Sequence, residues 1–280
     1  MSRAASGWFL LLCMVGWQAL GAEPGSYCFP FPVRIATASC TDFEWVSDLP
    51  ICAETARLLE RTATGKFGLS PDRVDSWTNG ALEEFLGWLK TVESKGAPDA
   101  TLIFYFVTHQ LKDGSLKFSK GADLSPAGFI EAVNCLARRY NRVLLVNDCC
   151  YGAVLEGGGK FDDNVVRIYA ASEREEACNL RFGKGPYGME KFLKEERAYL
   201  RDCMDWDPPG MTFLGIIGLK AALEIARSPG ASVDLQDLFR RMSANRDLYD
   251  ASIRQKKVQH LVMVPPTADF QILTKREQGK

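Results

Sequence analysis

Two stretches of the chain are so uniformly apolar that neither has a polar face: Leu102 to Val107 and Val143 to Val146. Short runs of this kind, rich in branched and aromatic side chains and bounded by polar residues, predict strands buried on both sides, the situation of a parallel sheet. The strands are read as Thr101 to Thr108 and Arg142 to Asn147. Pro32 to Ala38, Arg73 to Trp77, Asn164 to Ala170 and Val258 to Val264 complete the set.

Between the strands the period changes from two to 3.6. Asp48 and Pro50 open a helix carrying Ile51, Leu58 and Leu59, with a stop near Gly65. Leu82, Phe85, Leu86, Leu89 and Val92 fall on one helical face, with Asn79 as the expected cap and Gly96 and Pro98 as the stop. Ser125 and Pro126 stand in the favoured cap-then-proline order before a stripe of Phe129, Ile130, Val133, Leu136 and Tyr140. Thr212 to Ala226 is apolar around its circumference and reads as a buried core helix, being short for a membrane span. Ser232 to Met242 is a further amphipathic helix. Glu156 to Lys160 reads as a flexible connection, 181–210 as an insertion or lid, and the tail after Leu273 as loose. Strands alternating with helices predict a three-layer α/β fold: a mostly parallel six-stranded sheet with helices on both faces.

The first 22 residues follow a different rule. Arg3 gives a positive start, Trp8 to Trp17 an apolar core, and Ala19-Leu20-Gly21-Ala22 a small-residue cleavage pattern. The expectation is a signal peptide over 1–22, a single domain over 23–280, and a secreted or periplasmic protein with no stable membrane span once the leader is removed. Beyond Cys13 the chain carries Cys28, Cys40, Cys52, Cys135, Cys149, Cys150, Cys178 and Cys203. Export permits oxidation, but adjacency argues against a bridge between Cys149 and Cys150. With 34 basic and 35 acidic residues the net charge is -1, and no basic stripe points to nucleic acid.

The chemistry sits at the ends of the two apolar strands, one running into His109 and the other into Cys149-Cys150. Parallel strands present reactive groups at their carboxyl ends, and a thiol attacks a carbonyl only as the thiolate, for which imidazole is the usual partner. The other histidine, His260, lies within the expected last strand and reads as structural. No CxxC pair, His-x-x-x-His spacing, GxSxG turn or P-loop is present.

In Asp48 to Gly68, Asn79 to Gly96, Thr101 to His109 and Val143 to Gly152 the chain resembles the caspase-like cysteine peptidases: caspases, metacaspases and legumains. The resemblance implies endopeptidase activity on a peptide or protein substrate, with backbone amides holding the oxyanion and no metal or organic cofactor. His109 takes the place of the family histidine. Cys149 is the preferred nucleophile because it keeps the strand phase and the family glycine at Gly152. Cys150 is the alternative, with Asp148 as the family acid two residues before it. Asn147, Asp148 and Ser172 are the candidates for substrate contact. The chain departs from the family at Gln110, where glycine usually follows the histidine, and at Tyr151, where the Cys149 register expects serine. A catalytically inactive protein-binding module is the alternative function.

Overall fold

The computed structural model describes residues 27–28, 31–44, 49, 51–67, 69–177, 179–181, 197–198, 200–201, 208, 210–212, 214–218, 220–221, 232–253, 259–268 and 271–275. The expected signal peptide lies outside the described residues, as does most of the expected insertion. In chain order the elements are β1 (Tyr27–Cys28), β2 (Val33–Ser39), α1 (Cys52–Phe67), β3 (Val74–Thr78), α2 (Leu82–Ser94), β4 (Thr101–Val107), α3 (Pro126–Ala137) and β5 (Arg142–Asn147). They continue with β6 (Val165–Tyr169), β7 (Asn179–Arg181), β8 (Gly210–Thr212), β9 (Ser232–Asp234), α4 (Leu235–Ile253), β10 (Val262–Val264) and β11 (Gln271–Lys275).

The main sheet has six strands in the order β10-β6-β5-β4-β2-β3. Every neighbouring pair is parallel except β10 with β6. The continuously apolar β4 and β5 are the two central strands, where burial on both faces leaves no place for a polar side. Alternation along β4 divides the core in two. Ile103, Tyr105 and Val107 face one layer with α1, the helical run 214–218 and α4. Leu102, Phe104 and Phe106 face the other, with α2 and α3. In that second layer the rings of Phe85, Phe106 and Phe129 stack with centroids 5.0–5.5 Å apart, close to the optimum for tilted aromatic pairs.

The α3 cap is the expected one: Ser125 Oγ accepts from the Gly128 backbone N–H at 3.2 Å, with Pro126 in the first turn. Asn79 has another task. The cap of α2 is Ala81, whose N–H is held by Glu84 at 2.8 Å. Asn79 sits in the left-handed region at φ 50, and its Oδ1 accepts from the N–H groups of Thr41 and Asp42. It therefore ties down the chain leaving β2.

Further differences come from pairing between distant segments. Thr274 and Lys275, read as part of a loose tail, are paired: β11 lies between β1 and β9 in a three-stranded antiparallel sheet, and the rest of the tail lies outside the described residues. Ser232 to Asp234 is strand β9, so the following helix starts at Leu235. Thr212 belongs to β8, which pairs with β7. Glu156 lies within a 3-10 helix, Gly152–Gly157, and holds Arg167 at 3.0 and 2.9 Å, so the start of this connection is anchored to β6.

Candidate active site

The carboxyl ends of β2, β4, β5 and β6 lie along one edge of the sheet. Phe106 on β4 is paired with Asn147 on β5, and His109 and Cys150 each stand three residues past that couple. Asp148 continues the ladder, its N–H donating to Phe106 O at 2.9 Å. His109 is half-buried, its ring packed 4.8 Å from Phe43 and its carbonyl accepting from the Lys117 N–H at 2.9 Å.

The two adjacent thiols meet different surroundings because side chains alternate across a strand. Val143 and Leu145 face the α2 and α3 layer, and Cys149 continues that phase. It is 1% exposed, and its Sγ accepts from the Thr108 backbone N–H at 3.3 Å. Burial drives its thiol well above the ordinary range. Cys150 leaves the sheet. It is half-buried, with Sγ 3.8 Å from Ala177 O. Burial raises its thiol too, and the carboxylates of Glu176 and Asp148 add to the effect. Cys40, Cys52, Cys135, Cys149 and Cys150 are all free thiols.

Neither acid-or-amide candidate beside the thiols opens to solvent. Asn147 is 0% and Asp148 3% exposed. Asp148 points into the α1 layer, where its Oδ2 accepts from Tyr105 OH at 2.7 Å. Burial raises its carboxyl to about 6, against the lowering effect of hydrogen bonds from Thr212 and Tyr105. Asn147 donates through Nδ2 to Gln110 Oε1 at 3.0 Å, while its Oδ1 has no partner among the described residues. Such an orphaned acceptor costs about 1–3 kcal/mol. Ser172 is half-buried at the start of a turn, its N–H donating to Glu175 Oε2 at 3.3 Å.

Tyr151, directly after Cys150, adopts φ 53, ψ 25, a left-handed conformation unusual for a bulky residue. Hydrogen bonds on either side of the residue hold it. Its N–H donates to Glu175 O at 2.7 Å and its OH to Glu176 Oε1 at 2.9 Å, while its carbonyl accepts from Val154 N at 2.9 Å and Gln110 Nε2 at 3.4 Å. The backbone N–H groups of Gln110 and Cys150 themselves donate to no protein acceptor among the described residues.

His260 was expected inside the last strand; it lies before β10, exposed, and is joined to Glu175 through Nδ1 and through its N–H at 2.7 Å. Burial opposes the charge on Glu175, but the bonds from His260 and Ser172 outweigh it and hold the carboxyl below its ordinary value. Nothing local in the sequence links these residues, since 85 positions separate them. Among the described residues, no cluster of three or more His, Cys, Asp or Glu side chains forms a metal site, and no helix is long and apolar enough to cross a membrane.

Superposed on solved structures, the chain matches the crystal structure of caspase-1 from Spodoptera frugiperda with a TM-score of 0.52, over 84% of this chain and 89% of that one. The fold is caspase-like. Identity over the match is 14%, so the shared property is the caspase-like fold, and the chemistry has to come from this chain's own residues. A structure of pro-sf-caspase-1 aligns at 13% identity over 84% of this chain and 92% of that one, with a TM-score of 0.49. No protein-family model matches the sequence, and no curated protein matches it.

Proposed function

We propose that the chain is an exported cysteine endopeptidase of caspase-like fold that cleaves peptides or proteins with Cys150 as nucleophile and His109 as its proton carrier. The observation carrying this reading is the equivalent placement of His109 and Cys150, each three residues past a paired position on adjacent parallel strands. Cys149 gives way to Cys150 because the strand phase that favours it in the sequence is the phase that seals it in the core. Export rests on the leader pattern of Arg3, Trp8 to Trp17 and Ala19 to Ala22.

His109 takes the proton of Cys150, and the thiolate adds to the scissile carbonyl carbon, moving an electron pair onto the carbonyl oxygen. The Gln110 and Cys150 amides receive that oxyanion. Collapse breaks the C–N bond, with His109 protonating the leaving amine. Water, losing a proton to His109, then attacks the thioester, and the acid and the free thiol are released. Burial raises the resting thiol, and His109 takes its proton as the peptide binds.

That raised thiol favours a second reading, a catalytically inactive caspase-like module that binds peptide in the same cleft. A mixed peptide library incubated with the exported protein separates the two. Cleavage is expected from wild type and Cys149→Ala, and is expected to vanish in Cys150→Ala and His109→Ala. Cleavage surviving in Cys150→Ala overturns the assignment, and peptide binding without cleavage in wild type selects the inactive module.

A further inference from the structure

The Gln110 and Asn147 side chains are almost wholly buried at 3% and 0% exposure, and they form a directed pair. Tyr151 O can only accept, so Gln110 must turn Nε2 toward it, at 3.4 Å. That leaves Oε1 for Asn147, which must answer with Nδ2, at 3.0 Å. The orientation of both amides is then fixed, and Asn147 Oδ1 is left without a partner among the described residues. An apolar pair would fill the same space with no orphaned atom, so folding alone does not call for two amides here.

One end of Gln110 is the residue after His109, and the other grips the carbonyl of the residue after Cys150, with a foothold on β5. The two backbone amides flanking that span are those of Gln110 and Cys150, neither bonded to a protein acceptor among the described residues. We propose that the Gln110 side-chain amide is a positioning bridge that sets the spacing of the oxyanion donors, with Asn147 as its anchor. The bridge rests on the peptidase reading above. It makes the departure from the family glycine a working part of this site: returning glycine to position 110 removes it.

The test uses two thiol reagents on the exported protein. Iodoacetamide, with its adduct located by mass spectrometry, reports the access and thiolate content of Cys150 and places no oxygen in the oxyanion position. Peptide aldehydes, prepared from sequences the wild type cleaves, form a C–S bond whose new oxygen must enter the oxyanion position. Gln110→Met keeps nearly the same volume, and Gln110→Gly is the family residue. Both variants are expected to bind aldehyde about tenfold or more weakly, since small misplacements at a reacting centre have effects of this size or larger. Iodoacetamide labelling of Cys150 is expected within about twofold of wild type. Asn147→Leu, which also removes the orphaned oxygen, is expected to weaken aldehyde binding while holding or raising the melting temperature. Unchanged aldehyde binding in Gln110→Met and Gln110→Gly overturns the bridge, as does a parallel loss of both reactions with a lowered melting temperature. A wild type that takes iodoacetamide at Cys150 but cleaves no peptide of the library overturns the peptidase reading itself, and the bridge with it.

Discussion

Cys149 Sγ accepts a hydrogen bond from the backbone N–H of Thr108 at 3.3 Å, across the gap between β5 and β4. That contact places Cys149 inside the α2 and α3 layer and leaves the chemistry of the strand end to its neighbour. A thiol held among apolar side chains at 1% exposure is a packing group.

Cys149→Ala is therefore expected to lower stability by about 1–2 kcal/mol, as for other truncations that leave a small cavity. Its turnover should stay within about threefold of wild type. Cys150→Ala should show the opposite balance, with little loss of stability and no turnover. Urea unfolding alongside peptide hydrolysis checks both, and a Cys149→Ala protein that is fully stable but inactive contradicts the assignment.

Asp148 makes stability depend on pH. Its folded pKa of about 6 lies above the ordinary 3.8, so between these values the folded chain holds a proton that the unfolded chain has released. The stabilisation is complete below the ordinary value and is lost as pH rises through the folded one, an effect of about 3 kcal/mol from such a shift. Asp148→Asn keeps an oxygen for Tyr105 OH and carries no such titration. Its stability relative to wild type should rise across roughly pH 4 to 6.5, and unfolding curves that move in parallel would contradict this. The same variant removes a carboxylate that raises the Cys150 thiol, so its Cys150 alkylation profile should move to lower pH.

Glu175 joins three connections at the sheet edge: it holds Ser172 and His260 through its carboxylate and Tyr151 through its carbonyl. Bonds from backbone N–H groups to a charged acceptor are the stronger kind, so Glu175→Ala should destabilise by about 2 kcal/mol and reduce turnover. His260→Ala removes an exposed partner but keeps the backbone N–H, and should cost less than about 1 kcal/mol. In the Glu175→Ala background the His260 substitution should have almost no effect, which a double-mutant cycle in thermal unfolding checks. Additive losses would break the proposed linkage.

The parts of the molecule legible in the sequence are those governed by local pattern. The apolar runs of β4 and β5, the single-faced stripe of α2 and the Ser125-Pro126 cap each carry their own signal, and together they establish the sheet and its helices. What escaped detection depends on distant partners. Strand β11 needs β1 and β9 beside it, Asn79 serves Thr41 and Asp42, and His260 finds Glu175 across 85 positions. At the candidate site the sequence identified the two strand ends and both thiols. Strand phase favours Cys149 as the nucleophile in the sequence, but that phase carries Cys149 into the core against α2 and α3, a packing that no local pattern announces.

Trapping the wild-type protein with a peptidyl acyloxymethyl ketone and locating the adduct by mass spectrometry of its tryptic peptides tests the central claim most directly. The account predicts one thioether, on Cys150, with its formation rate strongly reduced in His109→Ala. An adduct on Cys149, or labelling of Cys150 that is indifferent to His109, would contradict it.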